Sequence, residues 1–361
     1  MIIERLELVD FRNYAATTFD LTAGTTVVIG DNGQGKTNLA EALAYLATLA
    51  SFRGVGTDAL VRVGAEQAIV RADVGDDDGR RSLIEAEITP TGRGRVQVNR
   101  QRLARARDLL GVVRVTVFSP DDLALVKGGP ADRRRFMDDA LVALATKYDG
   151  MRLELDRILR QRNNLLRQVG GRLDGDAATT LDVWDAKLAA TGDQFGRARA
   201  ALVERATPHV ADAYARLAGS TTSVAVTYAP RWRGDGGLAA ALAEARADDL
   251  RRGVSTVGPH RDDVDLVLNG MPARTHASQG EQRTLALALR LGVHHLVAER
   301  TASTPVLVLD DVLSELDTNR ASAVLEMLPA GQIVITTAGT IPRAATPDRI
   351  IHIANGGIIE P

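Results

Sequence analysis

Eight residues constrain this chain more than any others. Gly30-Asp31-Asn32-Gly33-Gln34-Gly35-Lys36-Thr37 satisfy G-x-x-x-x-G-K-[ST] at every fixed position. An apolar run, Thr26 to Gly30, precedes them. A helical pattern from about Lys36 to Ala50 follows, with Leu39, Leu43, Leu46 and Leu49 or Ala50 as its apolar stripe. Strand, glycine loop and helix in that order form a phosphate cradle. The glycines let backbone N–H groups curl round the phosphates, and the helix N-terminus adds partial positive charge. In such a loop Lys36 reaches the β- and γ-phosphates and the Thr37 hydroxyl ligates Mg²⁺. The chain has four lysines, at 36, 127, 147 and 187, against 40 arginines. A coding bias toward arginine explains the imbalance. Yet a compact ammonium and a planar guanidinium are not interchangeable, and one of the rare lysines stands where phosphate chemistry needs it.

A second cluster, Val306-Leu307-Val308-Leu309-Asp310-Asp311, is an apolar run closed by two acids. A buried strand ending in Asp sets a carboxylate beside the metal of a phosphate loop. Asp310 is therefore assigned to Mg²⁺, and Asp311 faces the attacking water as a candidate general base. Adjacent acids at a strand end also suit a plain turn and helix cap. Asp310 lies 274 positions after Lys36, much farther than in simple P-loop GTPases and kinases. A large insertion must separate two halves of one nucleotide fold.

The middle of the chain supplies that insertion. After Gly128-Gly129-Pro130 the pattern turns helical. Met151, Leu155, Ile158, Leu165 and Val169 keep a 3-4 spacing, with Arg162 at the one missing step. A second seam runs through Leu181, Trp184, Leu188, Thr191, Phe195, Ala198 and Leu202. Two such seams joined by a short glycine-led linker predict a short antiparallel helical hairpin. Strands precede the insertion at Ile2–Val9, Gln67–Val74, Ser82–Ile88 and Val112–Phe118. They return at Asp263–Leu268, which closes on the hairpin turn Asn269-Gly270, and at Pro305–Asp310 and Gln332–Thr337. Gly75 to Gly79, with its three aspartates, reads as a solvated hairpin loop.

Ala277-Ser278-Gln279-Gly280-Glu281-Gln282 precedes a long helix whose inner stripe is Leu285, Ala288, Leu289, Gly292 and Leu296. A polar helix cap accounts for the motif taken alone. In ABC-type ATPases a Ser-x-Gly element at this place caps the γ-phosphate held by the opposite subunit. Its position between insertion and second acidic cluster favours that reading, with Ser278 and Gly280 acting across a homodimer and ATP as the nucleotide. The expected fold is α/β: a P-loop ABC-type ATPase head with a mixed β-sheet core, plus an inserted α-helical lobe. Residues 1–125 form the first half of the ATPase lobe, 126–252 the helical insertion and 253–361 the second half.

The motifs then resemble one family in particular. Leu8-Val9-Asp10-Phe11-Arg12-Asn13-Tyr14, Phe118-Ser119-Pro120-Asp121-Asp122-Leu123, and Val126-Lys127-Gly128-Gly129-Pro130 followed by Arg133-Arg134-Arg135-Phe136 are similar to the RecF family. So are Val257-Gly258-Pro259-His260-Arg261-Asp262-Asp263 and Leu309 to Asp317. RecF-like proteins are relatives of the SMC heads without their long arms. The resemblance implies a weak, DNA-stimulated ATPase whose ATP-dependent homodimer binds duplex DNA near single-strand gaps. It also implies a partnership with RecR, together with RecO, in loading RecA. By position it carries nucleotide and Mg²⁺ roles to Lys36, Thr37, Asp310 and Asp311, and roles across the dimer to Ser278 and Gly280. Arg12 and Asn13 come beside the nucleotide. Asp311 stands where the wider ABC pattern has Glu, and Thr336 and Thr337 where it has His, which points to slow hydrolysis. No glutamine corresponding to the ABC Q-loop stands out; Phe118 to Asp122 takes that place in the order of motifs. An ABC transporter's ATP subunit and a P-loop kinase acting on a metabolite are the competing readings. The Phe11-Arg12-Asn13-Tyr14 start opposes the first, and the Ser278 motif with the wide motif spacing opposes the second.

Charge limits how DNA can be held. The formal net charge is −2, so attraction must come from local patches. Arg93, Arg95, Arg100, Arg102, Arg105 and Arg107 fall within one acid-free stretch, and Arg133, Arg134 and Arg135 open a helix. Both runs are candidates for contact with the phosphate backbone, without sequence reading; solvated faces or salt-bridge donors are the alternative. The chain has no cysteine, which removes disulfides, thiolate zinc sites and cysteine nucleophiles. Its six histidines show no ligand spacing. No stretch approaches the roughly 18 apolar residues that span a bilayer, and the N-terminus lacks a signal-peptide layout. A cytoplasmic protein with no membrane partner is expected.

Overall fold

The structure, a computed structural model, describes residues 1–76, 79–92, 94–232, 234, 236–328, 330–339, 341 and 345–359. The chain begins with β1 (Ile2–Phe11), β2 (Tyr14–Asp20), β3 (Thr25–Ile29), α1 (Lys36–Thr48), β4 (Ala68–Gly75), β5 (Arg81–Ile88), β6 (Val96–Val98), β7 (Gln101–Arg102) and β8 (Val115–Phe118). Next come α2 (Ala124–Lys127), α3 (Pro130–Leu144), α4 (Lys147–Val169), α5 (Gly175–Ala218), β9 (Val224–Ala229), α6 (Gly237–Arg252), β10 (Asp263–Leu268), β11 (Met271–Pro272), α7 (Ala273–His276) and α8 (Gln279–Thr301). It closes with β12 (Val306–Asp310), α9 (Thr318–Glu326), β13 (Ile333–Thr337), β14 (Arg349–Ala354) and β15 (Gly357–Ile359). Two compact units result. The first comprises 1–123, 212–221 and 283–361; the second comprises 124–211 and 222–282.

The first unit carries two sheets. One is antiparallel, in the order β2-β1-β4-β5-β6-β7. Its strands alternate between buried and part-exposed residues, as sheets covered on one face do; in β1 Ile3, Leu6, Leu8 and Phe11 point inward. The other has the order β15-β14-β3-β13-β12-β8 and is parallel apart from β15. Every residue of β12 and β13 is buried, which explains their unbroken apolar sequences. Between the sheets lies α1, apolar on most of its circumference and buried from Leu39 to Leu46. Gln332, 1 % exposed, ties the layers together. Its amide accepts from Ile3 N and donates to Ile3 O and Thr22 O. The loop between β4 and β5 closes through Asp76 N to Arg80 O and Gly79 N to Asp76 O; Asp77 and Asp78 lie outside the described residues.

The second unit is mainly helical with one small antiparallel sheet, β11-β10-β9. Asn269 and Gly270 both have positive φ, 48° and 77°, as the turn from β10 into β11 requires. The turn between α4 and α5 passes through Gly170 and Gly171, also at positive φ. Arg162 of α4, fully buried, donates to Asp185 of α5 at 2.6 Å and to Asp249 of α6 at 2.6 Å. That arginine at the gap in the apolar spacing is thus the polar centre of the helical packing. Residues 253–282, read from sequence with the second half of the ATPase lobe, fall in this second unit instead, because β10 pairs along its length with β9.

Candidate nucleotide-binding site

The loop from Gly30 to Lys36 joins β3 to α1, and its backbone is held from behind by the turn between β1 and β2. Asn13 Nδ2 donates to Gln34 O at 3.0 Å, Tyr14 Oη to Gly35 O at 2.9 Å, and Asn38 Nδ2 to Asn13 Oδ1 at 2.7 Å. From the other side Gly356 N donates to Gln34 O and Asn355 N to Gln34 Oε1. Gly35 has φ 122°, and a Cβ there would lie 2.7 Å from Tyr14 Oη. Only glycine fits both the angle and the space. Gln34 and Asn13 thus shape the loop by supporting it.

Lys36 is 4 % exposed. Its Nζ donates to the carbonyls of Gly30 at 2.7 Å and Asp31 at 2.9 Å, which holds the ammonium over the loop. Thr37 Oγ1 donates to Asp310 Oδ1 at 3.2 Å, so the end of β12 and the start of α1 meet as expected. Asp310 is 2 % exposed. Burial pushes its carboxyl above the usual carboxylate range; hydrogen bonds from Thr336 and Thr37 oppose the rise, Asp311 adds to it and Lys36 opposes it. A cation at this place would relieve the anion's cost of burial. The donors beside it are oxygens, as a hard divalent ion prefers.

Asp311 takes φ 54°, a left-handed backbone that costs a non-glycine residue energy. Its N–H reaches Thr336 O and Oγ1, both at 3.1 Å, and its Oδ1 accepts from Ser314 Oγ at 2.9 Å. Thr336 also donates to Asp310 Oδ1 at 2.7 Å. The threonine in the usual histidine position therefore holds the Asp310 carboxylate and the Asp311 backbone, contacts the sequence did not disclose. Two further residues went unread. Glu41, fully buried on α1, receives Arg12 Nε at 2.6 Å and Nη2 at 2.8 Å, and Ser51 Oγ donates to the same carboxylate. The signal available was one acid inside the otherwise apolar Leu39–Leu46 stretch.

Ser278 is exposed and caps α8. Its Oγ accepts from Glu281 N at 3.3 Å, and Glu281 Oε2 accepts from Ser278 N at 2.8 Å. This is a capping box. Gly280 lies in the first turn. The plain cap reading describes the geometry within one chain, and it leaves an exposed helix N-terminus, the kind of place where anions bind.

A model of the RecF/RecN/SMC N-terminal domain matches residues 2–356. The DNA replication and repair protein RecF of Streptomyces avermitilis is 45% identical over 354 residues, covering 94% of this chain and 93% of that one. The chain belongs to the RecF family. A solved structure of the recombination mediator protein RecF with ATP, from the RecFOR pathway, matches with a TM-score of 0.91 at 29% identity over 99% of this chain and 96% of that one. The Smc head of Pyrococcus furiosus, 17% identical, matches with a TM-score of 0.58 over 99% and 94%; that likeness concerns the fold, an ABC-type head. Membership makes this a DNA replication and repair protein with an SMC-like ATPase head, and it sets aside the transporter and metabolite-kinase readings.

Within this RecF-family chain the two basic runs part company. Arg100 and Arg102 are exposed at the β6–β7 hairpin. Arg95 pairs with Glu87 at 3.3 Å but stays 53% exposed. Arg93 lies outside the described residues. In the second run Arg133 takes the salt-bridge alternative rather than the DNA one. Arg133 is 7 % exposed and spends its guanidinium on Asp263, at 2.7 and 3.0 Å, and on the carbonyls of Leu125 and Gly128. All three of its nitrogens are engaged within the chain, which leaves it unsuited to DNA. Arg134 Nη1 donates to Asp262 O at 2.7 Å, and Arg135 lies 3.9 Å from Asp139, exposed. In the Phe118 to Asp122 segment, set at the Q-loop place in the order of motifs, Asp122 is held against Arg290 at 2.6 Å. His294 is buried against Thr116 Oγ1 at 3.0 Å, and burial lowers its pKa to about 4. Among the described residues no cluster of three histidines or acids suits a metal, and no helix is long and apolar enough to cross a membrane.

Proposed function

We propose that the chain is a cytoplasmic, nucleotide-switched DNA clamp: ATP with Mg²⁺ bound at Gly30–Thr37 joins two copies around duplex DNA near single-strand gaps. The observation that carries this reading is the convergence of Lys36, Thr37 and Asp310 at one loop. Thr37 Oγ1 and Asp310 would hold Mg²⁺ together with phosphate oxygens. Bound there, the ion would neutralise phosphate charge and polarise the terminal phosphoryl group. Lys36 exchanges its two carbonyl partners for phosphate. Asp311, oriented by Ser314 and Thr336, takes the place of the base, and a carboxylate one methylene shorter than Glu suits slow hydrolysis.

Ser278 and Gly280 serve the partner's nucleotide. The support is that Ser278 stands exposed at the start of α8, and a helix N-terminus favours a bound phosphate. Duplex DNA is held through its backbone by Arg95, Arg100 and Arg102, with Arg93 completing the run. RecR, with RecO, is the expected protein partner, as the RecFOR context of the related ATP-bound structure suggests. Sizing of the full chain by light scattering tests the clamp. ATP should convert wild type from monomer to dimer and leave Lys36→Met unchanged. A wild type that keeps one mass at saturating ATP would contradict it.

A further inference from the structure

Two non-glycine residues take the left-handed region here, Asp10 near the end of β1 at φ 49° and Arg12 in the turn that follows at φ 55°. Asp tolerates that region; a long residue such as Arg rarely adopts it. Strain of this kind persists where the surroundings enforce it and a side chain has work to do. Here the enforcement is visible. Arg12 N donates to Leu60 O and Arg62 N to Asp10 O, both at 2.8 Å, while Arg62 Nε reaches Asp10 Oδ1 at 2.6 Å.

The side chain that results is fixed as firmly as its backbone. Both oxygens of Glu41 accept from Arg12, through Nε and Nη2. A two-point fork of this sort sets the plane of the guanidinium as well as its place. Glu41 is fully buried, and Ser51, 3 % exposed, donates to it. The whole assembly stands on α1 beside the phosphate loop. Glu41 lies four residues after Thr37 and so shares its helix face, and the next residue after Arg12, Asn13, supports Gln34 O. Of the three guanidinium nitrogens only Nη1 has no protein partner among the described residues, and the Arg12 side chain keeps 15% exposure.

We propose that Glu41, seated by Ser51, is a positioning residue that aims Arg12 Nη1 at the anion held by the phosphate loop. A guanidinium clamped through two nitrogens has its plane fixed, so the N–H groups left on Nη1 are preorganised in direction. Burial of Glu41 keeps water from competing for the fork. The inference rests on the nucleotide reading of the loop and adds to it a buried acid that never touches the ligand.

ATP binding to the full chain, followed by calorimetry, tests the idea alongside the melting temperature without nucleotide. Arg12→Ala and Glu41→Gln should each weaken ATP binding about tenfold, a loss of about 1.4 kcal/mol. The double variant should be no weaker than either single, since both remove one action. Should Glu41→Gln unfold, Ser51→Ala leaves the fork itself intact; it is expected to melt as wild type does and to lower affinity about threefold. Additive losses in the double variant, or variants that change melting temperature while binding ATP as wild type does, would show a purely structural pair and overturn the proposal. Lys36→Met separates the two readings: if it too binds ATP normally, the nucleotide site itself is wrong, whereas its failure beside a normal Glu41→Gln overturns only the positioning role.

Discussion

Arg133 and Arg102 are chemically the same side chain drawn from two basic runs, and burial decides what each is for. Arg133 faces Asp263 in a pair with 8% and 18% side-chain exposure. Truncating one member of a buried pair strands the other's charge, at a cost of roughly 3–5 kcal/mol. Arg133→Ala should lose stability of about that size in urea unfolding, and its folded fraction should bind duplex DNA as wild type does. Arg102 is exposed on a two-residue edge strand. Arg102→Glu should stay within about 0.5 kcal/mol of wild-type stability. Its DNA affinity should fall, with a log–log salt dependence shallower by about one for each phosphate that is no longer neutralised. A wild-type salt slope in Arg102→Glu would withdraw the β6–β7 hairpin from the DNA face. The sequence could not separate these two arginines, because the acid that claims Arg133 lies 130 positions away. Lys36, Thr37 and Asp310 were legible because the chemistry of a phosphate loop fixes their spacing and context. Thr336, Glu41 and Ser51 were hidden because their contacts are with groups distant in sequence, and no local pattern marks such contacts.

At the level of elements, legibility followed burial. β12 and β13 are covered on both faces, so each is an apolar run that can be read directly. β14 is half exposed, with Ile350 at 47%, and its partner β3 lies near the other end of the chain, Arg349 standing opposite Thr26; nothing local announces it. β9 alternates between part-buried and exposed residues and only Tyr228 is buried. Residues 253–282 group with β9 in the second unit, and nothing local in the sequence marks that pairing. The phosphate loop is an element whose geometry makes a sharper claim than its motif does. Gly35 and Gly33 are both at positive φ, 122° and 82°, yet a Cβ at Gly33 meets nothing within 4 Å while one at Gly35 strikes Tyr14 and Asn13. Gly33→Ala should therefore carry the backbone penalty alone, about 1–2 kcal/mol, with measurable ATP binding. Gly35→Ala must displace the residues that hold the loop, and should abolish ATP binding in the same calorimetric titration. Equal affinities for the two alanine variants would mean that Asn13 and Tyr14 do not shape the loop.

For the whole molecule the decisive question is whether one copy suffices. A net charge of −2 supplies no general attraction to DNA, so a clamp must gain its grip by presenting two local patches at once, as linked binding sites do. In the proposed clamp, ATP shared between copies would provide the switch, because a ligand that binds only the dimer favours it by mass action. The phosphate loop belongs to the first unit and Ser278 to the second. Variants in each can therefore be made separately and mixed. Lys36→Met keeps an intact Ser278, and Ser278→Arg keeps an intact loop. Alone, neither should dimerise with ATP. Mixed, they can form a heterodimer in which the loop of one copy is sealed by the Ser278 of the other, giving one complete site of two. Light scattering should then show a dimer that appears only in the mixture and only with ATP. If nucleotide were sealed within a single polypeptide, every chain in the mixture would be defective by itself, and the mixture would scatter as the sum of its inactive parts.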